Sequence, residues 1–238
     1  VIVLLLTLAI ITFTVNGLWS SIGIGLIGVV ALCILVWHAG PLLKFGSALR
    51  TKYATFTAFQ IRYQAVTLLI ALILLVVSGF AGSWISVFGD LNAPVTEFGY
   101  LGATSSDRWV AFALTFAIVM ALVTGVVVWF QAGRKIGPKT LLRAMPIAVL
   151  FSVFNALTEE LIFRAALVQG LSQAFQPWAI ALLSALIFGT LHYFGMPGKI
   201  PGVLMAGFMG WLLTFAVVQT GGIFWAWFIH FIQDIIIL

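Results

Sequence analysis

Long apolar runs with almost no charge recur along the whole chain, and they constrain the fold more than any other feature. We count eight, near residues 1–15, 21–37, 65–80, 109–130, 145–170, 178–194, 201–219 and 222–238. A helix needs about 20 apolar residues to cross about 30 Å of hydrocarbon, and shorter runs suffice when flanking residues help. Only 7% of the 238 residues are charged, against roughly 25% in soluble domains. The sequence therefore predicts an all-α polytopic membrane protein with about eight transmembrane helices in one bundle.

The domain organisation follows from these runs, because glycine and proline interrupt the chain between them and no soluble segment intervenes. We interpret residues 1–238 as a single transmembrane domain. Residues 1–144 hold four spans with their loops, and residues 145–238 hold the other four. The stretch 41–64 mixes apolar and basic residues. It is either a helical extension of span three with snorkelling side chains or an amphipathic helix at the membrane surface.

The charged residues of the loops predict the orientation. Acidic residues gather in the 81–109 loop, whereas basic residues gather in the loops on the opposite side. The basic residues are Lys44, Arg50, Lys52, Arg62, Arg134, Lys135, Lys139, Arg143 and Lys199. The positive-inside rule places these loops and both termini in the cytoplasm. Because topology explains the basic residues, we expect no nucleic-acid partner. We expect the chain to be an integral protein of a bacterial plasma membrane.

Titratable side chains inside the spans are few, and all of them lie in the C-terminal half. They are Glu159, Glu160, Arg164, His192, His230 and Asp234. One charged group at mid-membrane costs about 2.5–3.5 kcal/mol or more, so such groups usually pair, face the bundle interior and mark a functional site. We therefore expect the chemistry in spans five, six and eight.

Spacing within span five suggests two different tasks for its adjacent glutamates. Glu160 and Arg164 are four residues apart and can pair along one helix face. That pair taken alone is typical of a structural ion pair. Glu159 is rotated by about 100° from Glu160, so it can point into a cavity.

Spans six and eight repeat the four-residue spacing. Phe188 and His192 share one face of span six, and His230 and Asp234 share one face of span eight. Each histidine alone could be a hydrogen-bonding group between helices, and Asp234 could reach the headgroups. The coincidence of polar groups on three helices favours a common site.

The three segments read EELIFR at 159–164, FGTLH at 188–192 and HFIQD at 230–234. In this order, inside apolar spans, they resemble the EExxxR, FxxxH and HxxxN or HxxxD motifs of the CPBP family, which contains the CAAX proteases and bacteriocin-processing enzymes. The resemblance covers about 145–238. It implies a glutamate-type intramembrane endopeptidase, similar to the type II CAAX prenyl endopeptidases, that works without a cofactor.

The resemblance also implies roles for individual residues. Glu159 would be the general base, and His192 would help to position and activate water. His230 and Asp234 would stabilise the oxyanion of the tetrahedral intermediate. The supporting residues would be Glu160, Arg164 and Phe188. An ionised Asp234 cannot donate a hydrogen bond, so it is either protonated or orients His230 one turn away, and we favour orientation.

Two histidines and one or two carboxylates also suit zinc, although the chain has no HExxH motif. A metal-dependent site is therefore the alternative to the cofactor-free one. Two other functions stay open: a non-catalytic member that regulates or scaffolds a partner, and a proton-coupled transporter. For the peptidase we expect a peptide or membrane-protein substrate in the lipid bilayer, or a prenylated C-terminus.

Small residues recur on span seven at Gly202, Ala206 and Gly210. Small side chains at four-residue spacing let two membrane helices approach closely. We expect this face of span seven to pack against a neighbouring span.

Overall fold

The helical class predicted from the sequence is confirmed for the part of the chain that the structure describes. A computed structural model describes residues 52–77, 85–96, 98–104, 106–132, 138–172, 174–195 and 197–238. Within these residues there are two isolated β-bridges and no strand. The first two predicted spans, 1–15 and 21–37, lie outside the described residues.

Seven α-helices follow one another along the described chain. They are α1 Lys52–Val77, α2 Trp109–Ala132, α3 Pro138–Glu160, α4 Leu167–Leu171, α5 Pro177–Leu191, α6 Lys199–Thr220 and α7 Phe224–Ile237. A π-helical segment, Leu161–Ala166, joins α3 to α4 without a break. Short 3-10 turns lie at Gly99–Leu101 and His192–Phe194.

Four helical segments are long and apolar enough to cross a membrane. They are Trp109–Gln131, Leu142–Leu171, Pro177–Phe194 and Lys199–Thr220. The apolar stretches Tyr63–Leu75 and Phe224–Ile237 are shorter. Large apolar side chains face outward, such as Leu122 and Ile118 on α2, which are 67% and 63% exposed. Such a surface requires a lipid environment, so the chain is an integral membrane protein.

Two helices begin earlier than the apolar runs indicate. Helix α1 begins at Lys52 instead of residue 65, so 52–64 is a helical extension of span three, while 41–51 lies outside the described residues. Helix α3 begins at Pro138 instead of 145. In both cases the added turns contain basic residues in the sequence, namely Lys52 and Arg62 in α1 and Lys139 and Arg143 in α3. A helix can continue beyond the hydrocarbon over residues of this kind.

The connection between α1 and α2 packs back onto the ends of α6 and α7. Gln219 of α6 accepts hydrogen bonds from the Thr96 N–H and the Trp109 indole, both over 3.0 Å. The backbone of Ser86 donates to the Gly221 carbonyl over 2.8 Å. Phe98 is 1% exposed and packs edge-on against Trp109. This end of the bundle is thus closed by an ordered loop.

The opposite end of the bundle brings the end of α2 to the start of α6. The Gly198 N–H donates to the Gln131 side-chain carbonyl over 3.2 Å. The end of α2 and the start of α6 therefore lie at one end of the bundle, and residues 85–96 lie with the α6–α7 connection at the other. This is the alternation that successive spans require.

Candidate active site

The titratable groups predicted from the sequence to form a site come together between three helical segments. The α3–π segment carries both glutamates and Arg164, α7 carries His230 and Asp234, and the 3-10 turn at the end of α5 carries His192. Helices α3 and α7 pack against each other, so the two sets meet inside the bundle.

A wide helical turn begins directly after Glu160. The π segment Leu161–Ala166 interrupts the α-helical register in the middle of the EELIFR sequence. Extra residues inserted into a helix in this way occur frequently at functional sites. Here the π segment contains Arg164, so the guanidinium is placed by a local geometry that ordinary helical spacing only approximates.

Glu160 is fully buried and contacts an arginine and a histidine. Its Oε2 lies 3.1 Å from Nε of Arg164, which is also fully buried. Its Oε1 lies 2.7 Å from Nδ1 of His230. A carboxylate beside a guanidinium accepts hydrogen bonds, so His230 carries a proton on Nδ1 and donates it to Glu160. The structure gives Glu160 the contact that orients His230, which the sequence analysis had favoured for Asp234.

The second ring nitrogen of His230 faces the other two carboxylates. Nε2 lies 3.7 Å from Oε2 of Glu159 and 3.6 Å from Oδ1 of Asp234. Both distances exceed a hydrogen bond, so Nε2 is directed toward two acidic groups without being bonded to either. Glu159 Oε2 is itself buried and has no hydrogen-bond partner among the described residues.

His192 is held by its own helix. Its Nδ1 lies 2.7 Å from the carbonyl oxygen of Phe188, which can only accept, so Nδ1 donates and Nε2 is the ring nitrogen without a proton in the neutral side chain. Among the described residues, Glu159 makes a 3.7 Å contact with Nε2 of His230 and no ion pair with His192. The structure therefore joins Glu159 directly to His230 and more distantly to His192.

Phe188 contacts both histidines and the arginine. Its ring centroid lies 4.4 Å from that of His192 and 5.6 Å from that of His230, and Arg164 Cζ lies 4.5 Å above it. Cation–π attraction of this kind is worth about 2 kcal/mol when desolvated. Phe188 thus packs against three polar side chains and restricts their positions.

Three further polar residues of the site were not predicted from the sequence, because the prediction rested on charged side chains and histidine. Asn155 donates from Nδ2 to Asp234 and to Glu159 over 3.0 and 3.2 Å. Gln64 of α1 donates to Asn155 Oδ1 over 3.1 Å, and Tyr63 lies within electrostatic reach of both acids. The site therefore extends into the N-terminal half. An amide in the middle of an apolar run was the signal available for Asn155.

Metal ligation was the alternative considered for these residues. Among the residues that the structure describes, no group of three or more His, Cys, Asp or Glu side chains is arranged as a set of metal ligands. The polar groups are instead bonded to one another in pairs, as the contacts of Glu160 and Asn155 illustrate.

Comparison with known families supports the motif interpretation. Residues 140–236 match the family model described as type II CAAX prenyl endopeptidase Rce1-like. The match contains every predicted site residue and leaves α1 and α2 outside it. No curated protein and no solved structure matches the chain.

Proposed function

Because residues 140–236 belong to the Rce1-like family of type II CAAX prenyl endopeptidases, we propose that this chain is an intramembrane endopeptidase. It hydrolyses a peptide bond of a membrane-associated or prenylated peptide or protein with water activated by Glu159. The observation that carries the proposal is the Glu159 Oε2 atom, which is buried, unbonded and 3.7 Å from His230 Nε2.

Of the two adjacent glutamates, Glu159 is the base. Glu160 has both oxygens engaged, one by Arg164 and the other by His230. A general base must have a free oxygen within about 3 Å of the proton that it removes. Glu159 has such an oxygen, so it takes a proton from water while His192, through Nε2, accepts a hydrogen bond that holds this water.

The attack on the substrate carbonyl creates an oxyanion that needs a donor. When His230 is doubly protonated, Nε2 donates to that oxygen while Nδ1 stays bonded to Glu160. Collapse of the intermediate breaks the C–N bond, and the proton held by Glu159 goes to the leaving amine. Asp234 lies beside Nε2 and, when protonated, supplies a second donor.

The surroundings of the chain enter the proposal as well. We assign the chain to a bacterial plasma membrane. The basic loops of the sequence favour a cytoplasmic position for both termini. The proposed reaction uses side chains alone, without a metal cofactor.

The test is cleavage of defined peptides by the purified protein in lipid vesicles. The probes are a fluorogenic farnesylated CAAX peptide and the same peptide without its lipid. We expect wild type to cleave one of them in the presence of a chelator, and Glu159→Gln and His192→Ala to lose at least about 10²-fold in kcat. Ser152→Ala, on the same helix but outside these contacts, is the control. Cleavage that survives both substitutions would refute the assignment of the base.

A further inference from the structure

The Asn155 side-chain amide links the two carboxylates that face His230 Nε2. Asn155 lies one turn before Glu159 on α3. Its single nitrogen donates to Glu159 Oε1 over 3.2 Å and to Asp234 Oδ2 over 3.0 Å. Each carboxylate uses one oxygen for this contact and directs the other toward His230. The amide thereby holds groups from two helices in one arrangement.

The same amide is also hydrogen-bonded from a third helix. Asn155 Oδ1 accepts a hydrogen bond from Gln64 Nε2 of α1 over 3.1 Å. Reversing the Asn155 amide would place its oxygen against two carboxylates and its nitrogen against the Gln64 donor, which both contacts disfavour. Gln64 is 9% exposed, so its hydrogen bond to Asn155 is made away from solvent and is correspondingly strong.

These contacts have a consequence for the base. Without the Asn155 donor, Glu159 Oε1 and Asp234 Oδ2 would each lose a hydrogen bond in a buried site. The two carboxylates would then rotate toward other donors. The nearest such donor is His230 Nε2, at 3.7 Å from Glu159. A Glu159 that bonds His230 through Oε2 loses the unbonded oxygen that the proposed reaction uses as the base.

We propose that Asn155 is a positioning residue of the active site, which keeps Glu159 and Asp234 apart from His230 Nε2, and that Gln64 supports its side chain through the hydrogen bond to Oδ1. The proposal rests on the proposed peptidase function for its kinetic test. It assigns a function to α1, which lies outside the family match, and to an amide outside the three motifs.

The kinetic test compares Asn155→Ala and Asn155→Asp with Ser152→Ala. Ser152 is fully buried one turn away on the same helix, and its hydroxyl has no hydrogen-bond partner among the described residues. We expect Asn155→Ala to lower kcat by about 10- to 100-fold with KM unchanged, since a displacement of about 1 Å can cost about 10²-fold. Asn155→Asp keeps the shape and donates only when protonated, so its kcat–pH profile should move to lower pH.

A second measurement does not need activity. The chain contains three histidines, His38, His192 and His230, so ¹⁵N-histidine NMR of the protein in detergent micelles can follow each ring. We expect Asn155→Ala and Gln64→Leu to shift the Nε2 signal of His230 and to leave its Nδ1 signal, bonded to Glu160, in place. Ser152→Ala should leave both signals unchanged.

The outcomes separate the two proposals. A wild type that cleaves neither peptide removes the peptidase function, and the NMR measurement then decides the positioning role by itself. Gln64→Leu covers the case in which Asn155→Ala fails to fold. If Asn155→Asp and Gln64→Leu leave the kcat–pH profile and the His230 Nε2 signal as in wild type, the positioning role is overturned, even where thermal stability falls.

Discussion

His230 donates from Nδ1 to Oε1 of Glu160 over 2.7 Å, so this histidine of α7 is oriented from α3 and not by its own helix. Because of this contact, the two adjacent glutamates have different roles. Glu160 neutralises Arg164 and sets the His230 tautomer, which leaves Glu159 with an unbonded oxygen. Adjacent acids with separate environments are a general way to obtain separate chemical roles from identical side chains.

Removing the charge of Glu160 should destabilise the fold more than removing the charge of Glu159. Glu160→Gln leaves Arg164 buried without its ion-pair partner, which costs about 3–5 kcal/mol. Glu159→Gln keeps an acceptor for Asn155 and breaks no ion pair with Arg164, so its free energy of unfolding should stay near wild type. Reversible unfolding in mixed detergent micelles measures both. Equal losses for the two variants would contradict the division of tasks.

Replacing the whole ion pair should be less costly than breaking it. The double variant Glu160→Leu with Arg164→Met removes both buried charges and restores apolar packing against Phe188. A buried pair is often neutral or unfavourable compared with apolar residues of similar volume. We expect the double variant to unfold at a higher denaturant concentration than either single variant, and to be inactive because His230 has lost its acceptor. Additive losses would show that the pair itself stabilises the fold.

How far the sequence predicts this structure depends on the kind of signal. Apolar runs located the four described helical segments that are long enough to cross a membrane and two shorter apolar helices, because hydrophobic length decides which segments cross a membrane. They missed the first turns of α1 and α3, where basic residues continue the helices beyond the apolar runs. The pairing of Glu160 with Arg164 followed from four-residue spacing, because that spacing places two side chains on one helix face.

Contacts between helices were less accessible to prediction. Spacing along α7 favoured Asp234 as the group that orients His230, whereas the contact made from α3 brings Glu160 closer. The π segment is invisible in the sequence, because it differs from an α-helix by one residue of register. Asn155 and Gln64 carry no charge, so the search for costly buried charges passed over them.

Asp234→Asn tests what the group beside His230 Nε2 contributes. The asparagine still offers Asn155 an acceptor oxygen, and its amide can donate to a substrate oxyanion. We therefore expect cleavage within about tenfold of wild type, whereas Asp234→Ala should lose about 10²- to 10³-fold in kcat. Peptide cleavage in vesicles measures both. Proton-driven flux that is abolished by Asp234→Asn would instead favour a transporter.

Close packing of α5 against α6 should control the position of His192. A Cβ atom at Gly189 would lie 2.6 Å from the Val203 carbonyl oxygen and 3.0 Å from Gly207 Cα, both backbone atoms that cannot move aside independently. Gly189→Ala should therefore force the helices apart and destabilise the fold by about 1–3 kcal/mol. Because Phe188 is adjacent and His192 follows within one turn, kcat should fall as well.

The matched control is Gly125→Ala on α2. A Cβ atom there would meet only the Ile236 side chain, at an ordinary contact distance of 3.8 Å. Alanine is favoured over glycine inside a helix by about 0.5–1 kcal/mol, so this variant should be as stable as wild type or more stable and should cleave normally. Unfolding in mixed micelles and peptide cleavage are measured on both variants. If Gly189→Ala behaves like Gly125→Ala, the α5–α6 interface has room to adjust, and the small residues of α6 are not what positions His192.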